Sequence, residues 1–428
     1  MKTVTPIRDP RKLAVLCMHE VAQHGLLVPE GLNRIWFELS NEDLNLAHEL
    51  IYGAFRFYPG LTHVLGRFCK VKKLPPRIFW LLVLSLYQLR YMRVPDYAVL
   101  NEANRLAANL KFPGLKGLVN GVLRNVIRRK EVWEELGGDA YLLPGWMRGY
   151  FLNQYDAPTL DRWLAAWRER GRLCYWRKSG EGLPGDEPSD VVPHGFRRQN
   201  GIDSEALKDG MIYFQNESSQ AIAEIICRSG KNSVLDLCAA PGGKVCYVSA
   251  FGRQERLVAY DISASRREKL KENRARLALD FALCETKSAL ARETPFALVL
   301  VDAPCSGIGI IGRHPEIKFH RSRPADEKLR ISQAQALARG WKLVEEGGHL
   351  LLTLCSLDRG EIPEFPRDAV VDEECLGQWL PAGIPGKFYG SVFVIEPTRI
   401  FDGFMAVLLK KPKKTTARAR GRDRSKNA

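Results

Sequence analysis

The sequence predicts two folds in series: an all-α amino-terminal domain, then an α/β domain whose sheet is covered by helices on both faces. Three observations predict it. Apolar residues recur at helical spacing from Arg11 to about Lys130, with no strand-rich stretch between them. From Ser233 onward, short apolar runs alternate with helical segments, the pattern of a covered parallel sheet. The 428 residues also exceed one ordinary core, since a domain usually spans about 100 to 200 residues.

Taken in order, the segments Lys12 to His24, Leu44 to Phe57, Pro76 to Tyr91 and Leu118 to Arg129 read as helices of the first domain, which is assigned residues 1–140. Arg77 to Arg90 is apolar almost all round, as expected of the central helix of a bundle. Its apolar stretch, Ile78 to Leu86, is interrupted by Ser85 and falls short of the roughly 18 residues that span a bilayer, so no membrane segment is expected. Cations flank these helices: Lys72, Lys73, Arg77, Arg90 and Arg93, then Arg124, Arg128, Arg129 and Lys130. Helix dipoles account for some of the terminal ones. Residues 141–213 change character and read as a linker or small accessory region, with an amphipathic helix from Tyr155 to Arg170 and a Gly/Pro/acidic loop from Gly180 to Asp190. In the second domain, residues 214–411, the strands are placed at Ser233 to Leu237, Arg256 to Tyr260, Phe296 to Val301 and His349 to Leu354. Residues 412–428 form a basic tail, expected to be disordered.

The formal charge of +15 favours a polyanionic partner through counterion release and steering, so RNA or DNA is the expected ligand. Part of the excess lies in the tail, which reads equally as a nucleic-acid tether or as a solvated end. The ten cysteines include no Cys-x-x-Cys pair, so neither a zinc site nor a disulfide framework is expected, and no metal is assigned. The start, Met1 to Pro10, lacks the apolar core of a secretory signal, which predicts a cytoplasmic protein.

The chemistry-bearing part begins where the first strand of the second domain runs into Cys238-Ala239-Ala240-Pro241-Gly242-Gly243-Lys244. Small residues and paired glycines there let the backbone approach a ligand, while the following helix offers its N-terminus. Gly-x-Gly-x-x-Gly is absent, so this is not the dinucleotide fingerprint. Asp261, ending the second strand, is placed to accept hydrogen bonds from ribose hydroxyls; its alternative is a helix N-cap. An adenosine-containing cofactor is the reading.

Asp236 to Lys244, Asp302 to Gly309, Arg313 to Lys318 and Leu354 to Ser356 resemble, in order and at the expected strand ends and loops, the motifs of the Sun-family RNA cytosine-5 methyltransferases. Phe214 to Gln220 is similar to the segment preceding the first strand in that family. Pro95 to Glu102 and Leu118 to Arg124 resemble the NusB-type helical domain of its members that act on small-subunit ribosomal RNA. The resemblance implies an all-α NusB-like RNA-binding domain followed by an α/β Rossmann-like catalytic domain that uses S-adenosyl-L-methionine. It implies that Cys238 to Lys244 cradle the methionine and ribose portions of the cofactor, that Asp261 holds the ribose, and that Asp302 lies near both cofactor and base. Arg266 matches an arginine after the second strand, and Glu285 stands where the family often has an aspartate near the adenine. A monomer is favoured.

Carbon 5 of cytosine is too weak a nucleophile to attack a sulfonium methyl until a thiolate has added at carbon 6. The resemblance assigns that thiolate to Cys355 and the release step to Cys305, with Asp302 hydrogen-bonding the base. The opposite assignment, with Cys305 as nucleophile, stays open, because DNA cytosine methyltransferases use a Pro-Cys cysteine. Several positions depart from the family pattern. Leu354 replaces a threonine, Ile362 follows Glu361 where an asparagine is usual, Gly312 replaces a basic residue, and Trp176-Arg177-Lys178 carries only part of an Arg-x-Asn pattern. Two rival functions remain. An adenine amino-methylating enzyme would favour an Asn/Asp-Pro-Pro-aromatic loop over Asp302-Ala303-Pro304-Cys305, and a non-catalytic RNA-binding or assembly factor would have no use for both cysteines and the intact glycine loop.

Overall fold

A computed structural model describes residues 6–136, 141–198, 204–320 and 327–413. The basic tail expected at residues 412–428 lies outside them from residue 414 onward. No helix among the described residues is long and apolar enough to cross a membrane.

The helical domain forms where the periodicity placed it. Pro10–His24 starts on Asp9, whose side chain accepts from the Arg11 and Lys12 amides, and stops at Gly25 in the left-handed conformation. Asn41–Arg56 is capped by the Ser40 hydroxyl. Pro76–Tyr91 runs through the middle and buries every residue from Trp80 to Gln88. Phe55 and Trp80 pack edge to face at 5.4 Å, and truncating such a ring costs about 3 to 5 kcal/mol. Asp96–Asn109 and Lys116–Arg128 close the bundle as a helical pair.

Of the linker and the small accessory region that the sequence allows for residues 141–213, the described residues form the second. Gly145–Leu152 and Ala157–Arg168 are helices whose Phe151, Trp163 and Trp167 join Val301, Leu352 and Leu354 in one apolar core. Strands β1 (Leu173–Arg177), β2 (Glu187–Pro188), β3 (Gly195–Arg198) and β4 (Ile212–Phe214) form a sheet of order β2-β3-β1-β4. β4 runs across the expected boundary between residues 213 and 214, because Ile212 pairs with Arg177 and Phe214 with Tyr175.

The second domain holds β5 (Ser233–Asp236), β6 (Arg256–Ala259), β7 (Ala282–Leu283), β8 (Phe296–Asp302), β9 (Val344–Leu354), β10 (Val370–Val371), β11 (Gly386–Tyr389), β12 (Val392–Ile395) and β13 (Phe404–Lys410). Their order is β11-β12-β13-β9-β8-β5-β6-β7, with β10 on β13. From β7 to β9 the pairings are parallel, as the alternating pattern predicts. Beyond β9 the sheet turns antiparallel. The stretch from β12 to β13, residues 396–403, is too short for the crossover of about a dozen residues that a parallel neighbour requires. The direction of winding reverses between β5 and β8, and in such sheets ligands bind outside the carboxyl ends of the strands at that reversal.

The two domains meet through the segment after the Cys305 loop. Lys318 Nζ donates to the carbonyls of Arg56 (2.6 Å) and Leu142 (2.9 Å). Glu316, fully buried, accepts from the Val28 amide at 3.0 Å. Arg56 donates to the Gly312 carbonyl at 3.2 Å. Burial, with the Arg56 guanidinium beside it, pushes the Lys318 ammonium well below the usual lysine range.

Candidate active site

At the carboxyl end of β5 the chain turns through the Cys238 loop. The Leu237 amide bonds to the Leu300 carbonyl and the Ala239 amide to the Tyr260 carbonyl, which tethers the loop to both neighbouring strands. Gly242 has φ 118° and starts the helix Gly243–Phe251. A Cβ there would stand 2.8 Å from Leu270 Cδ1, so both conformation and space require glycine. Burial, then the carboxylates of Asp236, Asp302 and Asp261, push the Cys238 thiol up to about 12, leaving it neutral.

Asp261 is fully buried. Its carboxylate accepts from the Ala240 amide at 3.3 Å and the Ser263 amide at 2.8 Å, and pairs with Arg266 at 3.0 Å. The cap of the helix Ala264–Arg276 is Ser263, so the N-cap alternative for Asp261 falls away. Asp302, ending β8, receives Lys244 Nζ at 2.5 Å on one oxygen and the Thr353 hydroxyl at 2.9 Å on the other. Desolvation works against the charge on Lys244, but Asp302 and then Asp236 outweigh it and raise its pKa. Both Asp302 oxygens thus act as acceptors in this network. Glu285 follows β7, yet its described partner is Lys271 at 3.0 Å on an exposed surface, outside the network joining Asp261, Asp302 and the loop.

Cys305 and Cys355 leave the adjacent parallel strands β8 and β9, whose Asp302 and Thr353 are paired in register. Their sulfurs are in contact at 2.6 Å, and both are free cysteines. The hydrogen bond that the Cys305 thiol donates to Cys355, and then burial, push that thiol well above the usual range, and the Cys355, Glu361 and Asp302 charges add to this. Gly309 locks the loop against the second strand end. Its amide bonds to the Cys355 carbonyl, and a Cβ would fall 2.0 Å from the Gly403 carbonyl oxygen.

Sequence reasoning missed five groups in this site. Asp236 is buried by 97% of its surface, and its Oδ1 has no hydrogen-bond partner among the described residues. Burial pushes its carboxyl up to about 7. Thr353 orients Asp302. Ser306 and Ser356, which follow Cys305 and Cys355, converge on Glu361. Two of the departures have structural places: Leu354 is fully buried in the apolar core, and Gly312 supplies the carbonyl that Arg56 grips.

A second concavity, of about 430 Å³, lies on the helical domain between Asp96–Asn109 and Lys116–Arg128. Lys116, Asn120 and Arg124 recur every four residues along one helix face, opposite Tyr97, which is 70% exposed. The Asn104 Oδ1 atom lining it is buried without a partner among the described residues.

Residues 8–128 match the NusB family, and residues 225–369 match the family described as 16S rRNA methyltransferase RsmB/F. The ribosomal RNA small subunit methyltransferase B of Erwinia tasmaniensis is 30% identical over 390 residues, which cover 83% of this chain and 88% of that protein. Its namesake from Proteus mirabilis is 30% identical over 81% of this chain and 88% of that one. Among solved structures, PH0851 aligns over 95% of this chain and all of its own at 18% identity, with a TM-score of 0.71. NSun6 from Pyrococcus horikoshii aligns over 63% of this chain with a TM-score of 0.51 at 15% identity; both show the fold alone. On the identity and coverage of the curated relatives, the chain belongs to the ribosomal RNA small subunit methyltransferase B family, with a NusB-family domain ahead of its methyltransferase domain.

Proposed function

We propose that this protein transfers a methyl group from S-adenosylmethionine to carbon 5 of a cytosine in small-subunit ribosomal RNA, through a covalent adduct between Cys355 and carbon 6. The observation that carries the reading is the pair of sulfurs in contact at the ends of β8 and β9, beside the crevice where the sheet reverses.

The residues present fit the cofactor. Lys244 is neutralised by Asp302, so the glycine loop keeps no free cation for a pyrophosphate, while Asp236 and Asp261 supply carboxylates suited to an ammonium and to ribose hydroxyls. Cys238 to Lys244, Asp261, Arg266 and Asp302 would hold it; Glu285 would bound the adenine side. When bound, S-adenosylmethionine supplies an electrophilic methyl on a sulfonium.

The chain's own groups account for the rest. When one thiol of the pair ionises, the remaining proton stays on Cys305, whose hold on it is strengthened by Cys355 and by burial. Cys355 then bonds to carbon 6, and carbon 5 becomes the nucleophile that takes the methyl. That bond ends both the hydrogen bond that Cys305 donates to Cys355 and the charge on Cys355, which raise Cys305, so Cys305 releases its proton to solvent. Its thiolate is then free to take the proton from carbon 5. The electron pair returning to the ring expels Cys355 from carbon 6 as thiolate, which restores the enzyme.

For RNA, Lys116 and Arg124 would take phosphates, Tyr97 would stack on a base, and the asparagines would bond base edges. A ribosomal substrate would place the protein in the cytoplasm. The alternative, an assembly factor with a vestigial catalytic domain, has no use for two sulfurs in contact.

Incubating ribosomal RNA and cofactor with each cysteine variant tests the reading. Cys355→Ala should give neither product nor adduct. Cys305→Ala should accumulate a protein–RNA species that survives denaturing electrophoresis and requires the cofactor. The reverse pattern exchanges the roles, and a wild-type protein inert on hypomethylated small-subunit RNA refutes the function.

A further inference from the structure

Glu361 is 1% exposed, and no cation pairs with its carboxylate among the described residues. Its bonds all run to neutral donors. Oε2 accepts from the Ser306 amide at 2.9 Å and from Gln333 Nε2 at 3.2 Å, and Oε1 accepts from the Ser356 hydroxyl at 2.8 Å. The two serine hydroxyls stand 3.2 Å apart. Since Ser306 follows Cys305 and Ser356 follows Cys355, one carboxylate grips both cysteine loops from behind.

Bridging alone does not call for a charge. A glutamine could keep its carbonyl on Ser306 and Gln333 and turn its NH2 to Ser356, whose hydroxyl can accept as well as donate. Burying a carboxylate without a cation is far costlier than burying that amide. Burial indeed raises the Glu361 carboxyl, although the bonds from Ser306 and Ser356 oppose this. Held on the Ser306 amide, one residue from Cys305, the carboxylate sets its charge beside that thiol, and it is among the charges that strengthen the hold of Cys305 on its proton.

We propose that Glu361 is the positioning residue of the cysteine pair, tying the two loops together and dividing their roles by setting a buried negative charge beside Cys305. The inference rests on the two-cysteine reading of the site. In its terms, Glu361 keeps Cys305 from competing as nucleophile before the adduct forms, while the serine bridge holds the sulfurs in contact.

The test uses full-length protein and a readout that a merely structural residue would not move. In a Cys355→Ala background, the pH midpoint for iodoacetamide alkylation of Cys305 is followed by peptide mass spectrometry, with and without Glu361→Gln. Removing the charge should lower that midpoint by about one pH unit or more, at unchanged S-adenosylmethionine affinity. With both cysteines present, Glu361→Gln should lower kcat with little change in KM for RNA. An unmoved midpoint in a cofactor-binding Glu361→Gln protein overturns the proposal. Should that variant fail to bind cofactor, Glu361→Asp decides: it keeps the charge and shortens the reach, so the midpoint should stay high while turnover falls, and a wild-type turnover overturns the bridging role. Alkylation needs no RNA, so a failure of the methyltransferase reading would show separately, as an inactive wild type with the midpoint shift intact.

Discussion

Replacing Asp236 with asparagine should make the catalytic domain more stable at pH 8 than at pH 5 relative to wild type. Burial, opposed by Lys244, moves this carboxyl from an ordinary 3.8 to about 7. A raised acid contributes stability that is fully present below its unfolded pKa and is lost as pH rises through the folded value. At about 1.36 kcal/mol per pH unit, the ionised form costs about 4 kcal/mol once fully developed. About 1.5 kcal/mol of this is already felt at pH 5, leaving about 2.5 kcal/mol lost between pH 5 and pH 8. Asp236→Asn removes the titration and keeps the shape. For a domain of this size that difference corresponds to about 5 to 10 °C in Tm, so the variant should gain that much more over wild type at pH 8 than at pH 5. Differential scanning fluorimetry without cofactor measures it directly. An equal shift at both pH values, or a larger one at pH 5, would refute the reasoning. The same variant should bind S-adenosylmethionine more weakly if the unpartnered Oδ1 faces the cofactor's ammonium.

Gly242→Ala should weaken S-adenosylmethionine binding at least tenfold in calorimetry, because a side chain at φ 118° is strained and meets Leu270; unchanged affinity would count against the loop as the cofactor cradle. On the helical domain, Lys116→Ala with Arg124→Ala should flatten the dependence of log RNA affinity on log salt by about 1 to 2. Tyr97→Ala should cost about 1 to 3 kcal/mol of RNA affinity at any salt concentration. RNA titrations from low to high salt check both, and an unaltered slope would place the RNA elsewhere.

What the sequence revealed, and what it hid, divides along local and non-local lines. Helices such as Pro76–Tyr91 and strand ends such as Asp302 announce themselves through periodicity and adjacent motif residues, so the glycine loop and both cysteines were legible. The antiparallel edge from β11 to β13 was not, because short apolar runs carry no sign of direction. Residues 141–213 read as a linker or small accessory region since their turn-rich stretch, Gly180 to Asp190, dominates the composition, whereas Trp163 and Trp167 reveal their role only when packed beneath β8 and β9. Asp236 and Glu361 were visible as residues but not as groups in need of partners. That property belongs to burial, which one sequence does not display.

The grip of Lys318 on Arg56 and Leu142 has a consequence for how the protein can be taken apart. A cut at residue 140 follows the change in composition, but it would strip Lys318 of the Arg56 carbonyl, Glu316 of its Val28 donor and His320 of the Leu26 carbonyl. The severed fragment would leave Lys318 with the Leu142 carbonyl and Glu316 with His314 as the partners that remain to them among the described residues, on the stretch of chain that continues directly from Cys305. Loss of activity in such a fragment would therefore report a damaged sulfur loop as readily as a lost RNA contact. A graft that exchanges helical domains between relatives would have to carry the seam, residues 312–320, along with the donor helices, because the inheritable unit here is the contact and not the sequence interval.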